Sequence, residues 1–204
     1  MGDEPGEGIE PHAAPSWTET GVKAVLALIP GVGGAIETVV ADVAARRRER
    51  AREMAESAAR EAGGADALLD AVGRNERVAD LFLAAGSAAQ RTAVAWKRRA
   101  MGRVVGRAAA DDALVDDSEL LFRALSDLDG PEFGLLSRMA SDQGGQDEVR
   151  ALADAAPQPV VSALVRNGVV DTVGTFDGPP VPVSVSQFGR SLLDFVNEPT
   201  ADST

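Results

Sequence analysis

Apolar residues recur at steps of three and four along most of the chain, which is the period of an α-helix. The pattern predicts a helix that is capped by Ser16 and ends near Pro30, and a second helix from about Gly34 to about Ala62. A short helix at "ADALLDAV" follows, and one long helix is predicted from about Glu76 to Ala109. Many of the repeated positions are alanines, which indicates closely packed helices in an antiparallel bundle.

Shorter elements are predicted in the C-terminal part of the chain. Helices are expected at "SELLFRALSDL", "PEFGLLSRMASD", "QDEVRALADAA" and "PQPVVSALVRNGVV", and Asp117 or Ser118 is the expected N-cap of the first. The β-branched runs "VVDTVGTF" and "VPVSVS" flank "DGPP" and predict a two-stranded hairpin. A last helix, "QFGRSLLDFV", is expected with Ser186 as its N-cap. Helices, a two-stranded wing and a final helix form the order of a winged helix-turn-helix.

These patterns predict a mainly α fold, in which an N-terminal helical bundle is followed by a winged-helix-like domain with a two-stranded wing. Residues 1–15 are rich in glycine, proline and glutamate and are expected to be a disordered leader. The bundle is expected over 16–110 and the winged-helix-like domain over 113–197. Residues 198–204 are expected to be a disordered tail.

Composition excludes several kinds of chemistry. The chain has no cysteine, and its one histidine, His12, lies in the expected leader. Thiolate metal sites, cysteine nucleophiles and histidine-based catalysis are therefore not expected. The acidic run that begins at Asp111 is explained by helix capping and solubility. We expect no catalytic residue, no metal site and no cofactor, and a protein that is not an enzyme.

The stretch "ALIPGVGGAIETVV" contains the most conspicuous glycine motif of the chain. A phosphate-binding loop is disfavoured, because the lysine and the serine or threonine of a P-loop are missing. A membrane hairpin is disfavoured, because Lys23, Glu37 and Asp42 interrupt the apolar segment 21–45. We interpret the motif as a structural corner between two helices, shaped by four residues: Pro30, Gly31, Gly33 and Gly34.

Charge is distributed unevenly along the chain. Residues 41–107 carry fourteen Arg and Lys against nine acids, whereas residues 108–204 carry five Arg against seventeen acids, in a chain of net charge −12. The basic part contains a run of cations with no acid among them, at Lys97, Arg98, Arg99, Arg103 and Arg107. We expect these five residues to form a surface for an acidic partner. Nucleic acid, anionic lipid and the acidic C-terminal part of this chain remain open as that partner.

The segment before the predicted wing corresponds to the recognition helix of a DNA-binding winged helix. It offers four polar residues: Gln158, Ser162, Arg166 and Asn167. DNA readers of this kind commonly carry more arginine and lysine, and the net acidic charge of the domain opposes binding to phosphates. Nucleic-acid binding is therefore disfavoured, although it is not excluded.

Two stretches resemble the Abi-alpha family of bacterial proteins. They are "LIPGVGGAIETVVADVAARRRERAREM" and the segments "LVRNGVV" and "VSVSQFGRSLLDFV", and the similarity extends over residues 20–196. The family name implies a role in abortive infection, which is a bacterial defence against phage. The very acidic C-terminal part departs from the family pattern, and the resemblance carries over no catalytic or ligand-binding residue.

The sequence thus favours a soluble, cytoplasmic interaction protein that binds a partner protein and is also a candidate homodimer. The absence of an apolar N-terminal core argues against a signal peptide. The first alternative is a winged-helix transcriptional regulator, which would bind duplex DNA with a strong salt dependence. The second is a membrane-active effector that uses residues 21–45 and would associate with anionic liposomes.

Overall fold

The computed structural model describes residues 33–141, 145–174 and 180–198. The predicted leader, the helix between Ser16 and Pro30 and the tail beyond residue 198 lie outside the described residues. Among the described residues, those up to Ala45 belong to one unit and those from Arg46 onward belong to a second. The predicted domain boundary near residues 110–113 falls within the second unit.

Helices dominate the described part of the chain, and a two-stranded sheet lies near its C-terminal end, so the predicted mainly α class with a two-stranded wing is confirmed. The N-terminal helices are α1 (Gly33–Glu61), α2 (Ala65–Arg74), α3 (Glu76–Arg91) and α4 (Ala95–Ala110). A 3-10 turn (Asp112–Leu114) leads into α5 (Val115–Asp127), α6 (Gly130–Ser141), α7 (Gln146–Ala155) and α8 (Gln158–Arg166). The final elements are β1 (Val170–Val173), β2 (Val181–Val185) and α9 (Gln187–Asn197).

Helix α4 lies at the centre of the second unit, and all of its residues from Ala100 to Gly106 are buried. Two glycines allow α1 to approach α4 closely. A β-carbon on Gly102 would lie 2.3 Å from the carbonyl oxygen of Met54, and one on Gly106 would lie 2.4 Å from Glu61 Cβ. The core around α4 is completed by buried leucines and valines of α3, α5, α6, α8 and α9.

The long helix predicted from Glu76 to Ala109 is wrong, because the chain leaves the helical conformation between α3 and α4. Thr92 has φ −87° and ψ 133°, which is extended backbone. Its hydroxyl accepts a hydrogen bond from the amide of Val94 at 3.3 Å. Threonine and valine lose side-chain freedom inside a helix, so a break here costs little, and it allows α4 to turn back and pack against α3.

The predicted N-cap of α5 is also wrong. Asp111 accepts a hydrogen bond from the amide of Ala113 at 2.9 Å and starts the 3-10 turn, which continues directly into α5 at Val115. Asp117 and Ser118 therefore lie inside the helix. The helical segment starts earlier than expected because Asp111, the first acid of the acidic run, is the residue that caps it.

The predicted two-stranded hairpin is confirmed as an antiparallel pair in which Val170 faces Val185. The register shifts after Asp171, where the strand opposite contains Pro182, a residue that cannot donate a backbone hydrogen bond. The predicted cap of the last helix is confirmed as well, since the Ser186 hydroxyl accepts from the amide of Gly189 at 2.9 Å.

Candidate functional site

Lys97 is the first residue of the basic cluster predicted from the sequence, and it is buried, with 3% of its surface exposed. Its amino group donates to the carbonyl oxygens of Leu128 at 2.8 Å and Ser126 at 3.3 Å, and to the Asp129 carboxylate at 2.8 Å. Those carbonyls lie at the C-terminal end of α5, where a positive charge is favourable. Lys97 therefore caps α5 from the side of α4.

Arg103 is buried as well, with 7% of its surface exposed. Its guanidinium donates to the carbonyl oxygens of Phe195 and Glu198 and lies 3.4 Å from the Glu198 carboxylate. The same group stacks over the Phe195 ring at 4.3 Å from the ring centre, and Arg107 approaches that ring at 5.4 Å. Arg103 thus binds the C-terminal end of α9.

Arg98 and Arg99 share one acidic partner on α1. Arg98 contacts the Glu53 carboxylate at 2.6 Å, and Arg99 contacts it at 3.3 Å. Arg98 also donates to the carbonyl oxygen of Thr92, the residue that ends α3, at 3.2 Å. Three cations of α4 therefore bind the C-terminal ends of three different helices.

The acidic groups that meet this cluster thus belong to the chain itself. Glu53, Asp129 and Glu198 come from α1, from the corner between α5 and α6, and from the end of α9. The prediction of a surface is wrong for Lys97 and Arg103, whose side chains are buried. The burial of these cations had a signal in the sequence. Alanine and glycine alternate with the cations of α4, and small residues along a basic helix indicate that other helices pack around it.

The glycine corner lies partly outside the described residues, which do not include Pro30 and Gly31. Gly33 and Gly34 are the first residues of α1. The backbone at this point is helical.

On the predicted recognition helix, now α8, three of the four polar residues are exposed: Gln158, Ser162 and Arg166. Asn167 has a structural role, because its side-chain amide donates to the carbonyl oxygen of Ala163 at 2.9 Å and closes the helix. Gly168 follows with φ 66°, the left-handed conformation that commonly ends a helix. Arg166 is the one cation that α8 contains.

A groove between α3 and α5 was not predicted from the sequence. It consists of two cavities of about 670 and 390 Å³, both lined by Ala84, Phe122 and Ser126. Leu81 and Met101 add apolar surface to its floor. The groove runs along α3 from Arg77 to Arg91, which at 1.5 Å per residue is about 20 Å. The sequence contains a weak signal for this groove. Ala84 and Ala88 are four residues apart, next to the buried residues Ala85 and Ala89.

Charged residues of both signs line the rim of this groove. On α3, Arg77 binds Asp116 at 2.5 Å and Glu119 at 2.9 Å on α5. The hydrogen bonds that Arg77 donates to the carboxylates of Asp116 and Glu119 raise the pKa of its guanidinium. Further along, Asp80 and Arg123 face the groove from α3 and α5. The result is an apolar channel between two polar edges, closed at the Arg77 end by ion pairs that join α3 to α5.

Within the described ranges, no group of three or more histidine, cysteine, aspartate and glutamate side chains could hold a metal ion. The helices described there include none whose length and apolar character would allow it to cross a membrane. Comparisons with family models, with characterised proteins and with solved structures found no match.

Proposed function

We propose that this protein is a non-enzymatic interaction protein that binds an amphipathic helix of a partner protein in the groove between α3 and α5. The observation that carries the proposal is the groove itself, with its apolar floor at Leu81, Ala84 and Phe122 and its charged edges. Grooves of this kind take the apolar face of a helix and leave its polar face at the rim.

The dimensions of the groove support a helical occupant. A length of about 20 Å corresponds to roughly 14 residues of helix, or nearly four turns. Side chains spaced at i, i+3, i+4 and i+7 on such a helix would reach along the whole floor. Small side chains at Ala84 and Ala88 leave room for large apolar side chains from the partner.

A protein partner is favoured over nucleic acid because three of the five cations in the predicted cluster are already engaged within the chain. Lys97, Arg98 and Arg103 bind carbonyl and carboxylate oxygens of their own chain. The helix that would enter the DNA groove, α8, contributes a single arginine. Charged contacts to phosphate supply much of the affinity of DNA-binding proteins, and α4 and α8 offer few of them.

The cellular setting of the proposal is bacterial phage defence in the cytoplasm. Its support is the resemblance of residues 28–54 and 164–196 to the Abi-alpha family, together with the absence of cysteine from the chain. In this setting, the partner would be a host or phage protein whose helix occupies the α3–α5 groove.

A photo-crosslinking amino acid placed at Ala84 in living cells tests this proposal, with Ala151 on α7 as the matched control. Both residues are exposed alanines on helices, and Ala151 does not line the groove. We expect a discrete adduct with another protein from position 84 alone, and its loss when Ser126→Trp fills the groove. Absence of an adduct from position 84, or the same adducts from both positions, would contradict the proposal.

A further inference from the structure

The opposite side of α3 forms a second groove, against α1. It encloses about 410 Å³ and is lined by Ala51 and Ala55 of α1 and by Phe82 and Gly86 of α3. Leu83 lies on the wall of this groove with 67% of its surface exposed. An exposed leucine therefore adjoins a cavity that is lined largely by apolar residues, several of them small.

We infer that this face binds a second copy of the chain in a two-fold symmetric dimer, with Leu83 of each copy inserted into the groove of the other. A two-fold interface brings the same patch of both subunits together, so any protruding group and its receptor must lie on the same patch. Leu83 and the groove meet that condition. The small residues Ala51, Ala55 and Gly86 leave the space that a leucine side chain needs.

The charges of α1 complement themselves when two copies of the helix lie antiparallel. Residues 46–52 carry five arginines and one glutamate, and beyond the internally paired Glu53, residues 54–61 carry two glutamates and one arginine. An antiparallel pairing centred on the groove places the basic part of each helix beside the acidic part of the other. Arg52 lines the groove and forms a 2.7 Å ion pair with Glu56, and in the dimer each gains a further partner of opposite sign.

The dimer face and the proposed partner groove use different residues of α3. Leu83 and Gly86 belong to the dimer face, whereas Ala84 and Ala88 line the groove against α5. A dimer formed in this way leaves both partner grooves accessible. The inference therefore stands independently of the proposed function.

The experiment is sedimentation equilibrium of the full chain and two variants, Leu83→Asp and Leu69→Asp. Leu69 on α2 is the matched control, because it is a leucine with the same 67% exposure and does not line the groove. We expect the wild type to dimerise, Leu83→Asp to raise the dissociation constant by at least about tenfold, and Leu69→Asp to leave it unchanged. A monomeric wild type, or equal effects of both variants, would overturn the inference.

A third variant tests the groove that receives Leu83 rather than Leu83 itself. Ala51→Arg fills the groove from α1, at a half-buried position at its edge. Circular dichroism confirms that each variant is folded before its association is measured. Dimerisation of Ala51→Arg with the affinity of the wild type would also overturn the inference, because the groove would then not take part.

Discussion

Lys97 and Arg103 lie six residues apart on α4 and bind the C-terminal ends of two different helices. A buried cation is costly unless its hydrogen bonds are made, and both side chains make several. Every buried side-chain nitrogen and oxygen in the described part of the chain has a hydrogen-bond partner. At the scale of single residues, these cations are therefore part of what holds the helices together.

Replacing Arg103 by methionine keeps an unbranched side chain of about the length of the aliphatic part of arginine, and removes the guanidinium with its hydrogen bonds. The carbonyl oxygen of Phe195 then loses its charged donor. We expect Arg103→Met to lower the free energy of unfolding by about 2 to 3 kcal/mol, measured by urea denaturation. The control is Arg166→Met on the exposed face of α8, for which we expect a change within about 0.5 kcal/mol. Equal effects of the two variants would contradict the structural role of Arg103.

Lys97 and Asp129 form an ion pair whose members contribute unequally. Lys97 also binds two backbone carbonyls, whereas the Asp129 side chain is 73% exposed. We therefore expect Lys97→Met to lower the free energy of unfolding by about 2 to 3 kcal/mol and Asp129→Asn by less than about 1 kcal/mol. Thermal and urea denaturation of both variants measure the difference. A larger loss from Asp129→Asn would show that the ion pair dominates instead.

The sequence identified the residues of this cluster but left their partners open. Linear spacing places Arg99, Arg103 and Arg107 on one side of a helix, and says nothing about the helices that surround it. Glu53 is 45 residues from Arg98, and Glu198 is 95 residues from Arg103. Which acid meets which cation depends on tertiary packing, so it could not be predicted from local pattern.

At the scale of elements, the contact between α1 and α4 depends on two glycines. Gly102 and Gly106 are one helical turn apart and face the backbone of α1, where a side chain has no room. Glycine weakens a helix through its backbone freedom, so two of them in a buried helix indicate a packing requirement. The close approach also lets the Ser57 hydroxyl donate to the carbonyl oxygen of Arg99 at 3.0 Å.

Adding a methyl group at Gly102 forces α1 and α4 apart. We expect Gly102→Ala to lower the free energy of unfolding by about 1 to 3 kcal/mol. The matched control is Gly134→Ala inside α6, where a β-carbon meets nothing within 4 Å. That substitution should raise the free energy of unfolding by about 0.5 to 1 kcal/mol, because it improves helix propensity. Denaturation curves in which both variants shift in the same direction would contradict this account of the α1–α4 contact.

Most helices and both strands were predictable because their signals are local. Gly63 and Gly64 end the first described helix with positive φ, and Ser186 caps the last one. The break between α3 and α4 was not predictable, because Thr92, Ala93 and Val94 contain no strong helix breaker. Helix α3 ends there because α4 packs against it and because the Arg98 side chain donates a hydrogen bond to the carbonyl oxygen of Thr92. The groove between α3 and α5 also arises only once those helices are side by side.

At the scale of the whole molecule, the uneven charge along the chain is partly balanced inside the fold. Basic α4 lies against acidic groups from both earlier and later segments. A cation held in this way does not release counterions on meeting a phosphate backbone. We therefore propose that the basic helix organises the fold and that the partner of this protein is another protein.

Fluorescence anisotropy of the purified protein with mixed-sequence duplex DNA tests that claim most directly. The titration is carried out across roughly 50 to 200 mM salt, a range over which a protein with several phosphate contacts loses orders of magnitude in affinity. We predict no binding even at the lowest salt concentration. Tight binding that weakens steeply with salt would contradict the claim and would favour a DNA-binding regulator.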